Sequence, residues 1–200
     1  FADQAVIAVE NVRLFNELES RNRDVTDALE QQQASAEVLS VISRSVSDPQ
    51  PVFERILDSC ERLIELERAV VFLVGDDEKL HMTAFRGQGE DEARAAYPKP
   101  LGATAAPRVF RQQEPVYISN AADDGDVPES MREVARRAGN YSALLAPMLW
   151  EGRGIGMISV TRAANVAFNA KEVALLKAFA NQAVIAIQNS RLFNETKESL

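Results

Sequence analysis

One segment of this chain occurs twice. Residues 1–17 read FADQAVIAVENVRLFNE and residues 179–195 read FANQAVIAIQNSRLFNE, identical at 13 of 17 positions with a constant offset of 178 residues. Chance does not produce such a match, and the offset far exceeds the roughly 20–45 residues of a stacked solenoid repeat. It fits tandem domains: the last helix of one module, a connector, one whole module, and that module's own exit helix. The 200 residues, 46% of them hydrophobic, can bury one substantial core but are too few for two full-sized domains.

Both copies carry helix signals. Ahead of the second, Asn169 is a good N-cap, Glu172 completes an Asn-x-x-Glu capping box, and Phe168 can staple against Val173. Helix formers then run from Ala170 to about Ser199, roughly 45 Å at 1.5 Å per residue. One small domain cannot cover the apolar surface of so long a helix. The first copy continues without proline or glycine as far as Pro49. Along it, spacings of four and three alternate from Asn11 through Val46. Phe15, Asn22, Leu29 and Ala36 take the a positions of a heptad, and Leu18, Val25, Gln32 and Leu39 the d positions. Asn22 at a favours a two-stranded, parallel, in-register pair. A solvated spacer helix packed on its own domain is the plain alternative; spacing sustained over several heptads favours the dimer seam. The expected dimer interface is Phe15, Leu18, Asn22, Val25, Leu29 and Leu39, with Ala186 and Phe193 from the second long helix. The expected domains are an exit helix of a preceding module (1–17), a coiled-coil linker (18–46), a core (47–169) and an exit helix (170–200).

Between the long helices, Ser47, Asp48 and Pro49 stop one helix and start another, about Pro51 to Glu65, which carries Phe53, Ile56, Leu57, Cys60, Leu63 and Ile64 on one face. Arg68 to Val74 and Leu80 to Arg86 form a hairpin around Gly75-Asp76-Asp77. After a mixed region with Tyr97, Pro98 and Pro100 come a short helix about Ala105 to Gln112, a strand Pro115 to Ser119, and a helix about Glu129 to Ala138. Ser142 to Trp150 and Ile155 to Thr161 flank Glu151-Gly152-Arg153-Gly154 as a second hairpin. Two hairpins and a short strand, with helices before, between and after, predict an α+β fold.

The element order, the PVYIS strand with its acidic loop, the LLAPMLWEGRGIGMISVTR hairpin and the FNAKEVALLKAFANQAVIAIQNSRLF exit helix resemble the GAF family, over about Asp48 to Glu195. More narrowly, they resemble GAF modules of bacterial sensor histidine kinases and nucleotide cyclases. The resemblance implies an antiparallel sheet of five or six strands. The long opening and closing helices would cover one face, and short helices would roof a pocket on the other.

Composition and motifs exclude several chemistries. A net charge of −8 argues against nucleic acid as a partner. No apolar run approaches the roughly 20 residues of a membrane span; the longest, Ala143 to Trp150, is broken by Pro147. The single cysteine forbids an internal disulfide and suits a reducing cytoplasm. The chain opens mid-pattern at Phe1 and reads as a fragment, which leaves an anchor elsewhere in the parent open.

Cyclic-nucleotide relatives carry Asn-Lys…Phe-x3-Asp-Glu. Here Thr161-Arg162 stand in place of Asn-Lys and Val173 replaces the final acid, so such a ligand is disfavoured. Cys60 lies on the opening helix, away from the position that bilin attachment requires. One cysteine cannot run a thiol–disulfide cycle as methionine-sulfoxide-reducing relatives do. His81 is the only histidine, so neither metal nor haem is expected and no cofactor is assigned. Gly152-x-Gly154-x-Gly156 imitates a nucleotide loop but sits between strands, with Met157 where the third glycine belongs. Asp123, Asp124 and Asp126 miss the calcium-loop spacing.

A pocket is left. Alternation along the second strand puts Leu80, Met82 and Ala84 on the helix-packed face and His81, Thr83 and Phe85 on a mixed face. Ile155, Met157, Ser159 and Thr161 form the mixed face of the last strand. The expected ligand residues are Phe72, Phe85, Arg86, Tyr97, Tyr117, Tyr141 and Ser159. The functional reading is a non-catalytic, cytoplasmic, homodimeric sensor module of a two-component signalling protein, most naturally a sensor histidine kinase, taking a small molecule or a partner. The alternatives are a non-sensing dimerisation spacer, or the same sensor joined to a cyclase.

Overall fold

The computed structural model describes residues 2–198. The chain divides into two compact units, Phe1–Ala36 and Glu37–Leu200. The described residues of the first lie within α1 (Ala2–Arg44). Its surface carries the ion pairs Glu17–Arg21 and Glu19–Arg23 at i,i+4 spacing, each contributing about 0.3–0.5 kcal/mol. Phe15, Leu18, Val25 and Leu29 are exposed on it, Leu18 by 67%.

The second unit holds the end of α1, α2 (Gln50–Leu63), β1 (Arg68–Val74), β2 (Lys79–Gly87), α3 (Glu90–Ala95), β3 (Lys99–Pro100), α4 (Ala106–Gln112), β4 (Val116–Ile118), α5 (Glu129–Ala138), β5 (Tyr141–Trp150), β6 (Arg153–Ala163) and α6 (Ala170–Glu198). The six strands form one antiparallel sheet in the order β3-β2-β1-β6-β5-β4. The fold is α+β, with α3 and β3 emerging from the stretch that sequence patterning leaves mixed. Among the described residues no helix is long and apolar enough to cross a membrane.

One sheet face is covered by α2 and α6, which also touch each other. Asp48 Oδ1 accepts from the Gln50 backbone N–H at 2.9 Å, closing the turn ahead of α2. Val52, Phe53, Ile56, Leu57 and Cys60 then fall on one buried stripe. On α6, Leu176, Phe179 and Ala183 are fully buried. Each large apolar side chain so buried contributes roughly 1.5–3 kcal/mol. Ala186 lies on this inward side of α6, 1% exposed within a single chain. It is therefore consumed by its own domain and cannot serve a dimer interface, whereas Phe193 and Leu39 remain exposed.

The capping box at α6 forms as its spacing predicts. The Glu172 N–H donates to Asn169 Oδ1 at 2.9 Å and the Asn169 N–H to Glu172 Oε2 at 2.8 Å. Glu172 Oε2 also takes a 2.6 Å ion pair from Arg162 on β6, both side chains being about nine-tenths buried. The Arg162 guanidinium lies 3.7 Å from the centre of the Phe168 ring. The start of α6 is thereby tied to the end of the last strand.

The glycines of the second hairpin answer to sterics. Gly152 has φ +77° in the turn, and a Cβ at Gly154 would run into the Phe110 ring of α4. Gly154→Ala should lower stability by about 1–3 kcal/mol through overpacking, whereas Gly125→Ala, with open space around it, should change it by less than about 0.5 kcal/mol. Urea unfolding of the two variants provides the check; equal effects would contradict the packing described. Glu172→Ala should cost about 2–4 kcal/mol in the same assay, because it removes a cap and strands a buried guanidinium.

Candidate functional site

The other sheet face does not close over. Alternate residues of adjacent strands point to the same side of a sheet, and here the strand register sorts them into rows. Arg68, Thr161 and Ala143 form one row across β1, β6 and β5; Val70, Ser159 and Leu145 form the next; Phe72 and Met157 begin a third. Over these rows stand α3, the segment through Tyr97 and Lys99, Thr104 and Ala105 at the head of α4, and Met131 and Val134 of α5. They enclose a cavity of about 520 Å³, within the range of about 300–1,000 Å³ usual for small-molecule sites. The roofing helices are only 6, 7 and 10 residues long, too short to interlock over the whole face.

Five of the seven expected ligand residues, Phe72, Phe85, Tyr97, Tyr141 and Ser159, line this cavity. The Tyr97 ring packs against Phe72 with centroids 4.9 Å apart, and Lys99 Nζ lies 5.0 Å over that same ring. Burial pushes the Tyr97 hydroxyl up to about 12, with the nearby Tyr141 adding to the shift. Burial also raises Tyr141, while Arg68 pulls it back down. Both phenols are therefore O–H donors at neutral pH.

Arg86 and Tyr117 lie elsewhere. Arg86 follows cavity-facing Phe85 in a regular stretch of β2 and alternates to the other face, while a bulge reorders the residues before it. Val71 faces Ala84 but Phe72 faces Met82, so Thr83 is an extra residue in β2. Its hydroxyl donates to the Val71 carbonyl at 3.0 Å, and its carbonyl accepts from Gln50 of α2. The bulge corrects the simple alternation: Leu80 and Met82 join Phe85 on the cavity side. Arg86 falls on the helix-covered face, where it pairs with Glu54 at 2.6 Å and Asp58 at 2.9 Å on α2. Tyr117 alternates outward between buried Val116 and Ile118 and meets the Phe168 ring edge-on, with centroids 6.0 Å apart. Ile118 faces the cavity instead. Arg68, Met82, Met131 and Thr161 are lining residues outside the expected set. Met82 is hidden by the bulge, and Arg68 is the strand's first residue, where alternation is least marked.

The reactive side chains have structural partners. His81 Nε2 lies 2.8 Å from Asp77 Oδ1 in the first hairpin turn. Cys60 is fully buried on α2, and burial pushes its thiol well above the ordinary range. Among the described residues no group of three or more His, Cys, Asp or Glu could hold a metal ion. Cys60 should resist a thiol-reactive reagent in native protein and label fully once unfolded; rapid native labelling would contradict its placement. The raised Tyr97 also sets an alkaline limit. Its proton leaves the unfolded chain near the ordinary value of 10 and the folded chain near 12, so its contribution is complete below 10 and declines between 10 and 12. Tyr97→Phe should make stability less sensitive to pH across that window, as measured by urea unfolding; an unchanged pH profile would contradict it.

The model of the GAF domain matches residues 48–187. No curated protein matches the chain. Among solved structures, the GAF domain of a phosphoenolpyruvate-protein phosphotransferase from Coxiella burnetii superposes with a TM-score of 0.68 at 13% identity, covering 84% of this chain and 98% of that one. Free methionine-R-sulfoxide reductase from Neisseria meningitidis does so with a TM-score of 0.67 at 16% identity, covering 84% and 93%. A domain of a sensor histidine kinase protein, described as putative, from Sinorhizobium meliloti gives 0.61 at 23% identity, covering 74% and 95%. These likenesses concern the fold. With the family model spanning most of its length, from the turn before α2 into α6, the chain belongs to the GAF domain family.

Proposed function

We propose that this chain is a non-catalytic regulatory sensor module of a bacterial signalling protein, most naturally a sensor histidine kinase, working in the cytoplasm. It takes a small molecule in the cavity and passes the effect to long helices paired with those of a second copy. The observation that carries this reading is the 520 Å³ space on one sheet face, opposite a face densely packed by α2 and α6. A dimerisation spacer has no use for such a space and would fill it with side chains. The presence of similarly folded domains in a sensor histidine kinase protein and in a methyl-accepting chemotaxis protein supports the signalling context.

In this reading residues 1–17 are the exit helix of a preceding module, 18–46 a coiled-coil linker, 47–169 the core and 170–200 this module's exit helix. The near-identity of residues 1–17 and 179–195 supports it. So does the exposure of Phe15, Leu18, Val25 and Leu29 on α1, which a parallel partner helix would bury. Asn22 would face its symmetry mate, where a mutual hydrogen bond limits the cost of burial.

Native mass spectrometry of the purified chain is expected to show a dimer carrying a small molecule that gentle activation removes. Bare protein, with no thermal stabilisation by any compound of a broad metabolite panel, would favour the spacer. Changing Leu18, Val25 and Leu29 together to glutamate should give folded monomers in sedimentation. Unmodified protein that sediments as a monomer at high micromolar concentration would contradict the pairing.

A further inference from the structure

We propose that the cavity takes a small apolar acid, a flat aromatic or hydrocarbon body bearing one carboxylate, with the carboxylate seated between Arg68 and Tyr141. The proposal rests on the sensor reading of the same cavity and adds the chemistry of its ligand.

The rows of the sheet face grade from polar to apolar. Arg68 and Thr161 are register partners at one end, and Tyr141 stands two residues beyond Ala143, which faces Thr161. Ser159 occupies the middle row. The far end is Phe72, Met82 and Met157, whose thioethers and ring suit the edge and face of an aromatic body. A ligand lying along this gradient has one polar end and one apolar end.

The polar end is built to receive negative charge. Arg68 Nε donates to the Gln88 carbonyl at 3.0 Å, which steadies the guanidinium. Arg86, Arg108 and Arg162 each pair with a carboxylate of the protein, but among the described residues Arg68 has none. A half-buried guanidinium with N–H groups to spare matches the two oxygens of a carboxylate. Around it stand neutral donors. The Tyr97 and Tyr141 hydroxyls have no hydrogen-bond partner among the described residues, and both stay protonated far above neutral pH. The Thr161 side chain lines the same end of the cavity. A ligand carboxylate at this end can accept from the guanidinium and from both phenols.

The charge count selects a monoanion. One guanidinium and neutral donors match one negative charge, whereas a phosphate ester carries up to two. Lys99 Nζ lies 5.0 Å over the Tyr97 ring and also lines the cavity, but Glu92 offsets its charge, so the charged lining residues Arg68, Lys99 and Glu92 leave one net positive charge. Glu92 lines the cavity from exposed α3, its carboxylate close to Gly89, and it disfavours a ligand with a second acid. A cationic ligand would meet Arg68 at the inner polar end.

The test is calorimetric titration of the whole chain with 2-naphthoate and with its neutral isostere 2-naphthamide. The acid should bind at least about tenfold more tightly, the usual scale of a charge-assisted hydrogen bond. Arg68→Gln should erase that preference while leaving the amide affinity unchanged, which also shows that the variant is folded. If Arg68→Gln fails to fold, Tyr141→Phe carries the test and should weaken the acid severalfold more than the amide. Equal or tighter binding of the amide, or a preference that survives both changes, overturns the acid proposal while leaving the cavity a ligand site. Binding of neither compound, together with native protein free of any small molecule, overturns the sensor reading and this proposal with it.

Discussion

The rest of the structure depends on the packing of α6 against the central strands. A six-stranded sheet has two apolar faces, and neither can stay wet without forfeiting the burial that stabilises the domain. The long α6 packs on β5 and β6 with α2 beside it on β1 and β2, and together they cover one face. What remains for the other face is a set of helices of 6, 7 and 10 residues on loops. They close the rim and leave the centre open. The asymmetry in helix length thus places the cavity.

β6 belongs to both sides of this arrangement. Thr161 lines the cavity, and the next residue, Arg162, reaches to the opposite face, pairs with Glu172 and covers Phe168 at the start of α6. The polar end of the cavity and the cap of the exit helix are therefore adjacent residues on one strand. Among the described residues, Arg162 Nε is buried without a partner of its own, so this junction carries an unmade hydrogen bond. Such a junction sits near the cost of an unmade hydrogen bond, about 1–3 kcal/mol. That is comparable with the coupling energies of about 1–3 kcal/mol by which one site ordinarily biases another.

Local signals in the sequence were sufficient for most elements. The capping box at Asn169 and Glu172 involves residues three apart, and both hairpins are marked by glycine turns between β-branched runs, so their placement depends on little beyond neighbours in the chain. Tertiary context decides what local signals do not. The Thr83 bulge shifts the phase of β2 by one residue, which moves Leu80 and Met82 to the cavity side, while Arg86, one residue past Phe85, alternates to the acids of α2. Nothing within β2 itself marks that extra residue; it is set by the partner strand β1 and by Gln50 of α2. The aromatic ring of Tyr117 suits a ligand site, but the pleat of a three-residue strand decides its direction. Ala186 repeats Ala8 of the first copy, yet in the second copy its helix has a domain to cover. A heptad pattern alone does not say whether a small residue faces a partner or its own core.

The space beneath the short helices is open in the folded protein, and the proposed sensor function places the ligand there. Ala143 lies on the floor of that space, in the row shared with Arg68 and Thr161. The direct measurement is urea unfolding of Ala143→Leu, with 2-naphthoate titrated into the same variant. If the space is open, the added atoms enter it at little cost, stability stays within about 0.5 kcal/mol of the parent or rises, and binding weakens at least about tenfold. A loss of about 1–3 kcal/mol, the usual penalty for overfilling a packed core, with binding unchanged, would contradict the account.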